Sequence, residues 1–495
     1  MMAEMHKDAY TTKRVIHLAI SLFFMFIFGW ICPTWGDVTR EGVQAIGIFI
    51  GGIWMIANRF GMVVPSLLII FAMVFTGYNG GDAIIGSVLG SPTVWQLIII
   101  FVVLYALTES GADAVLARWM ISRKALNGRP VLFTVIFFLA ATVMGALASA
   151  LGAYLFSIAM VDSIAKTVGY DNKSQWKKAM YTGSIVCASV GGGIIPFKGM
   201  AMMIYSLMET GIVEAGLQID QVSYMASAAV AGILIAVCFG FAVGTLFRAD
   251  FSLLKNADVA TITAEGGTKF NKRQVWTLAL FLIGFAYSIV LIWLPTFIPG
   301  YNIFSNFGQG MWFGLIVALM YLIHIDGKPL LEPDRDMGKA VHWGIVLAVC
   351  GFTAIGMMVS DEALGVRGWL ADIMGMVFGN MPFPLFVICL VLFTLILTNF
   401  FSNTATAVIV GTIVGPILVA YGLDLGVNVS CVIPGIVMSA LCAFLTMAAG
   451  GSAPLYLGTE TMQEKPRWVF TYGLWVFPIV TIASSVSYIL LSYLL

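Results

Sequence analysis

The sequence predicts an all-α polytopic membrane protein of about eleven transmembrane helices plus two re-entrant hairpins, arranged as an inverted repeat. Three observations carry this prediction. Hydrophobic residues make up 60% of 495 and charged residues only 10%, against about 45–50% and about 25% in soluble domains. Uncharged apolar stretches near the roughly 20 residues of a membrane span recur along the whole chain. The longest of these stretches are interrupted, and the interruptions fall at matching places in the two halves.

The first half supplies apolar segments at 15–32, 43–58, 61–77, 93–117, 131–165, 177–212 and 222–247. The second supplies 275–298, 311–325, 342–360, 383–421, 428–459 and 468–493. Lys7, Lys13 and Arg14 precede the first segment in the manner of a secretory signal, but Pro33-Thr34-Trp35 follows where a small-residue cleavage site would be required. It reads as a retained first span. Placing the N-terminus in the cytoplasm and the C-terminus outside puts all of the 25 basic residues on the inner side except Arg40, Arg367 and Lys198, as the positive-inside rule asks of a multi-pass protein of the cytoplasmic membrane. The division is an N-terminal span (1–42), a first repeat (43–247), a cytoplasmic linker (248–274) and a second repeat (275–495).

Segments 131–165 and 383–421 are too long for one span and carry no charged loop in the middle. Small and polar residues stand there instead: Gly145, Ser149 and Gly152 in the first, and Thr398, Asn399, Ser402, Asn403, Thr404 and Thr406 in the second. Non-helical backbone at membrane depth survives only inside protein or beside water, so both read as re-entrant hairpins. Segments 177–212 and 428–459 share another interruption, Gly192-Gly193-Ile194-Ile195-Pro196 and Gly450-Gly451-Ser452-Ala453-Pro454. Glycine pairs cost helix stability and proline removes a donor, so both read as broken helices. Each half thus runs span, hairpin, broken helix, and charge parity opens the hairpins to opposite sides. Inverted repeats of this kind are the architecture of secondary transporters, whose sites lie at the midplane between discontinuous helices.

Unwound carbonyls and Ser, Thr or Asn oxygens suit a small hard cation, and helix N-termini at a break suit an anion. The run Ser402-Asn403-Thr404-Ala405-Thr406-Ala407 is similar to the Ser-Asn-Thr hairpin-tip signature of the divalent anion–sodium symporters, within the wider ion-transporter superfamily. The resemblance implies a homodimer of scaffold and transport domains, an elevator-like movement, and sodium-coupled uptake of di- or tricarboxylates across the lipid bilayer. It places Asn403 and Thr404 against a substrate carboxylate and Thr398 and Asn403 beside one sodium ion. In the first half the corresponding tip reads Ser149-Ala150-Leu151, without the amide and hydroxyl, and Gly145 stands where a serine is expected. The candidate substrate contacts are therefore Ser149, Pro196, Lys198, Ser402, Asn403, Thr404 and Pro454. Candidate sodium ligands are Thr398, Asn403 and Gly450, with Ser149 and Gly192 for a first ion.

Lys198 follows the first break and is the one basic residue left within a span. A central lysine costs roughly 2.5–3.5 kcal/mol on insertion scales. It either serves the site, pairing with the substrate or standing where the first sodium would sit, or snorkels to the outer surface. Glu109 and Asp162 are the carboxylates that a proton-coupled carrier would use, though Asp162 equally suits an i,i+4 pair with Lys166.

Other classes find less support. Formal net charge is zero, which argues against nucleic-acid binding. The seven cysteines lack CxxC spacing and the four histidines are scattered, so no metal cluster or disulfide framework is expected. No nucleotide-binding, nucleophile-elbow or cofactor motif is present, so neither an enzyme nor an ATP-driven pump is expected. A passive channel has no need of interrupted repeats. The membrane subunit of a binding-protein-dependent carrier and an exchanger of another organic anion remain alternatives.

Overall fold

Caps, glycines and prolines set where the helices start and stop. The computed structural model describes residues 12–58, 60–147, 149–258, 267–293, 306–366, 368–369, 381–400, 403–446, 453–465 and 467–495. Helix α1 (Thr12–Phe23) continues through a π-helical turn to Ile31. The Thr39 hydroxyl caps α2 (Arg40–Ala57), and α3 (Val63–Thr76) ends at Gly77 with φ of 83°. Next come α4 (Gly81–Leu89), α5 (Pro92–Ser110) and α6 (Ala112–Ile121). The expected single span 93–117 is two helices, because Gly111 takes a φ of 68° and turns the chain.

The first hairpin pairs α7 (Pro130–Leu147) with α8 (Ala150–Val168). The first broken helix comprises α9 (Gln175–Gly191) and α10 (Gly199–Glu214), followed by α11 (Gln221–Gly244), capped by the Asp220 carboxylate. The second half runs through α12 (Lys272–Trp293), α13 (Gly308–Leu322), the short α14 (Pro333–Ala340) and α15 (Trp343–Ser360). The second hairpin is α16 (Phe383–Thr398) and α17 (Asn403–Leu425). The second broken helix is α18 (Ile433–Leu441) and α19 (Ala453–Leu457), and α20 (Val476–Leu494) closes the chain. Among the described residues the strands are a two-residue ribbon, His324–Ile325 with Lys328–Pro329.

The two halves repeat one set of contacts. α7 packs on α9 and α11; α16 packs on α18 and α20. α11 and α20 then pack on each other and join the halves. Elsewhere α10 packs on both α15 and α17, and α15 also packs on α3.

Six described helices are long and apolar enough to cross a membrane, and a seventh candidate is the α4–α5 pair, bent by 42°. Other expected spans are shorter: α3 has 14 residues and α13 has 15. At about 1.5 Å per residue these fall short of a hydrocarbon core about 30 Å thick. Phe71, Phe75, Phe241, Phe393 and Ile482 are exposed on the outside of this helical body. A lipid surround turns that apolar surface from a liability into contact with solvent of its own kind. The chain is a multi-pass all-α membrane protein.

Candidate functional site

The first hairpin meets the first break through a close helix crossing. A Cβ on Gly145 would lie 2.2 Å from the Ala188 carbonyl oxygen, and one on Gly191 would lie 2.1 Å from that of Thr142. Both positions need glycine because backbone meets backbone there. α8 begins beyond the tip, where the exposed Ser149 adopts φ of −135° and its Oγ accepts the Gly152 amide at 2.9 Å.

After Gly191 the chain leaves the helix in a series of turns. Gly193 N–H donates to Val190 O at 3.0 Å and Ile194 N–H to Gly191 O at 3.1 Å. Tyr224 OH donates to the Gly193 carbonyl at 2.8 Å. Pro196 is buried in this turn. Lys198 ends it as the N-cap of α10, and its Nζ donates to Gly145 O at 2.7 Å and Ala146 O at 2.9 Å.

At the second hairpin the tip is pinned from the other direction. The buried Asn399 caps the end of α16, and its Oδ1 accepts the Phe444 amide at 3.0 Å and the Leu445 amide at 2.8 Å. Its Nδ2 donates back to Leu395 O at 2.7 Å, and the Thr446 hydroxyl donates to the Asn399 carbonyl. Thr398 Oγ1 lies 3.2 Å from Asn403 Oδ1 and 2.5 Å from Ala440 O. One hydroxyl proton therefore serves two acceptors, and three neutral hard oxygens converge. The Thr406 hydroxyl, one turn into α17, is buried without a hydrogen-bond partner.

The two tips meet at the end of α18. A Cβ on Gly192 would lie 3.3 Å from Ala150 Cβ and 3.6 Å from Leu441 Cδ1, and one on Gly193 would lie 2.7 Å from Met438 Cγ. Ala440, beside Leu441, is the residue that Thr398 reaches. A further tie joins the broken helices, where the Thr182 hydroxyl of α9 and Tyr456 OH of α19 share a buried hydrogen bond of 2.7 Å.

Of the residues singled out from sequence, Ser149, Gly192, Pro196, Lys198, Thr398 and Asn403 fall within this region, and Thr404 follows Asn403 at the start of α17. Ser402 and Gly450 lie outside the described residues, and Pro454 is described only as part of α19. Two residues were missed as site elements. Asn399 was visible only as one more polar residue of the tip, although its place at the end of an arm marks a C-cap. Ala440 had no side-chain signal at all, because it contributes its carbonyl.

The two carboxylates considered for proton relay sit elsewhere. Glu109 is exposed near the end of α5. Asp162 pairs with Lys177 at 2.7 Å and accepts from Tyr181 OH at 2.6 Å, rather than pairing with Lys166. The i,i+4 partner is outcompeted by a lysine that α9 presents directly. Among the described residues no group of three His, Cys, Asp or Glu is placed to hold a metal ion.

Residues 52–422 match the citrate transporter family, well over half of the chain. A sodium-dependent dicarboxylate transporter of Staphylococcus saprophyticus is 25% identical over 213 residues, covering 43% of this chain. An uncharacterized transporter of Methanocaldococcus jannaschii is 32% identical over 134 residues, covering 27% of it. These alignments span only 38% and 29% of the relatives' own lengths. Among solved structures, the YdaH transporter of Alcanivorax borkumensis aligns with a TM-score of 0.52 at 12% identity, over 85% of this chain and 88% of that one. MtrF of Neisseria gonorrhoeae, described as illuminating a class of antimetabolite efflux pumps, aligns at 0.50 and 11% identity over 95% and 96%. At such identities the structures speak for the fold alone. The extent of the family match, on a helical membrane body, makes this chain a member of the citrate transporter family, within the ion-transporter superfamily.

Proposed function

We propose that the protein is a secondary active transporter that takes up di- or tricarboxylates and couples them to sodium through its second repeat. The observation that carries this reading is the meeting of both hairpin tips with both helix breaks around Ala440 and Leu441. The N-termini of α8 and α17 begin at the tips, and those of α10 and α19 begin at the breaks. Helix N-termini present unpaired amides and positive dipole ends, which suit carboxylates. Thr398 Oγ1, Asn403 Oδ1 and Ala440 O form a neutral oxygen set suited to sodium. When bound, the ion supplies positive charge beside the anion and makes substrate binding depend on the sodium gradient. Asn403 and Thr404 are the proposed substrate contacts of the second tip, and Ser149 and Pro196 those of the first repeat. The name of the Staphylococcus relative supports both the substrate class and the ion.

The proposed movement is that of an elevator. Hairpins and broken helices travel as one body, in a homodimer, past a scaffold that includes α2 and α15. An apolar cavity of about 300 Å³ lies along that boundary, lined by Leu207, Gly211, Gly356, Gly411 and Gly415 among others. Small residues there leave room for α10 and α17 to slide. Sodium is favoured over protons because neither Glu109 nor Asp162 reaches the site.

The test is a panel of small anions applied to the purified protein. Di- or tricarboxylates should raise its melting temperature, and more so in sodium than in choline at equal ionic strength. Stabilisation by monocarboxylates or by unrelated anions alone contradicts the substrate class; identical stabilisation in both salts contradicts sodium coupling.

A further inference from the structure

The last turn of α7 leaves carbonyls without intrahelical N–H partners, at the negative end of the helix dipole. In a membrane body such carbonyls need a donor or a cation. The Gly145 and Ala146 carbonyl oxygens have one, the Lys198 ammonium at 2.7 and 2.9 Å. The lysine is held on both sides of its own backbone. Its N–H donates to Ile195 O at 3.3 Å, and its carbonyl accepts from Ala201 N–H at 3.0 Å. Of three ammonium donors, two are spent on the hairpin. Asp113, 6% exposed at the start of α6, is the carboxylate whose charge acts on Lys198 without an ion-pair contact. These contacts turn the side chain inward to the hairpin, not outward along α10 to the membrane surface. They commit two of its three donors to the hairpin carbonyls.

We propose that the Lys198 ammonium is a resident cation: it fills, in the first repeat, the carbonyl-lined position that a coupling ion would otherwise occupy. The proposal rests on the reading of the second repeat as a sodium site and deepens it. The transporter then carries one exchangeable sodium, bound by the second repeat, and one cation that never leaves. Sequence agrees with this division. Gly145 and Ala150 lack the side-chain oxygens that the second tip supplies from Thr398 and Asn403, so a first sodium would have few ligands beyond the carbonyls that Lys198 already holds. Ser149 Oγ is engaged as the cap of α8.

Full-length protein bearing Lys198→Ala or Lys198→Met tests this in detergent, without substrate, by melting temperature in sodium chloride against choline chloride at fixed ionic strength. In choline both variants should melt below the parent. Sodium should restore most of the loss, by more than it stabilises the parent, because the vacated carbonyls now take the ion. A sodium gain no larger than the parent's overturns the proposal. Should neither variant fold, the sodium dependence of uptake by the parent protein decides: a Hill coefficient near one supports a single exchangeable ion, and one near two contradicts it. The outcomes separate the two claims. A parent indifferent to sodium with a variant that gains a response sinks the second-repeat site and leaves the resident cation standing. A sodium-responsive parent whose variants gain only as much as the parent does the reverse.

Discussion

The two hairpins meet the same physical problem and solve it with opposite chemistry. Each first arm ends at a tip whose terminal backbone groups must be satisfied inside the protein. In the first repeat a charged side chain from the break, Lys198, donates to the arm's carbonyls. In the second, a neutral side chain from the arm, Asn399, accepts the break's amides. The first solution places a lysine side chain at the tip. The second leaves three oxygens, those of Thr398, Asn403 and Ala440, with a single hydroxyl proton among them. On the proposed reading, the first tip holds a fixed cation and the second an exchangeable one.

The largest effect is expected where the second clamp is cut. Asn399→Ala leaves the Phe444 and Leu445 amides without their acceptor, at roughly 1–3 kcal/mol each. Melting temperature should fall sharply and uptake should be lost. A variant that retains both would mean that the break is held by something other than Asn399. Asn403→Ala should act on function more than on folding, since Asn403 is only half-buried. Sodium affinity and carboxylate affinity are expected to weaken together, by about tenfold or more for a loss of about 1.4 kcal/mol. A change in one without the other would separate the ion site from the substrate site.

Gly145→Ala probes the first clamp. Its methyl would press on the Ala188 carbonyl at 2.2 Å, an overpacking worth about 1–3 kcal/mol. Thermal unfolding would register the loss; unchanged stability would show that the crossing of α7 and α9 can relax. The smallest effect is expected at Asp162→Asn. Asp162 has a side chain 46% exposed in its pair with Lys177, and the amide oxygen of Asn can still accept from Tyr181 OH. Uptake should persist in a sodium gradient. Its abolition, with the protein still folded, would return Asp162 to the mechanism as a proton carrier.

Much of this comparison was legible in the residue pattern. The segment 131–165 became two arms, α7 and α8, that turn at Ser149, and Gly192-Gly193…Pro196 became a break in the helix. Apolar runs, glycine pairs and prolines act locally, so their consequences can be read locally. What escaped was tertiary. The partner of Asn399 lies 45 residues away at Phe444, and that of Lys198 lies 53 residues away at Gly145. No periodicity encodes such a pairing. Asp162 shows the same limit, because a lysine four residues on was the visible partner while α9 supplied Lys177. The kink at Gly111 depended on a positive φ that a single glycine within an apolar stretch does not announce.

Uptake into proteoliposomes tests the central claim most directly. With the purified protein reconstituted and labelled citrate or succinate outside, an inward sodium gradient should drive accumulation above the equilibrium level, and replacing sodium by choline should abolish it. Entry no faster than into protein-free vesicles, under sodium and proton gradients alike, would contradict the proposal that this chain is a sodium-coupled carboxylate transporter.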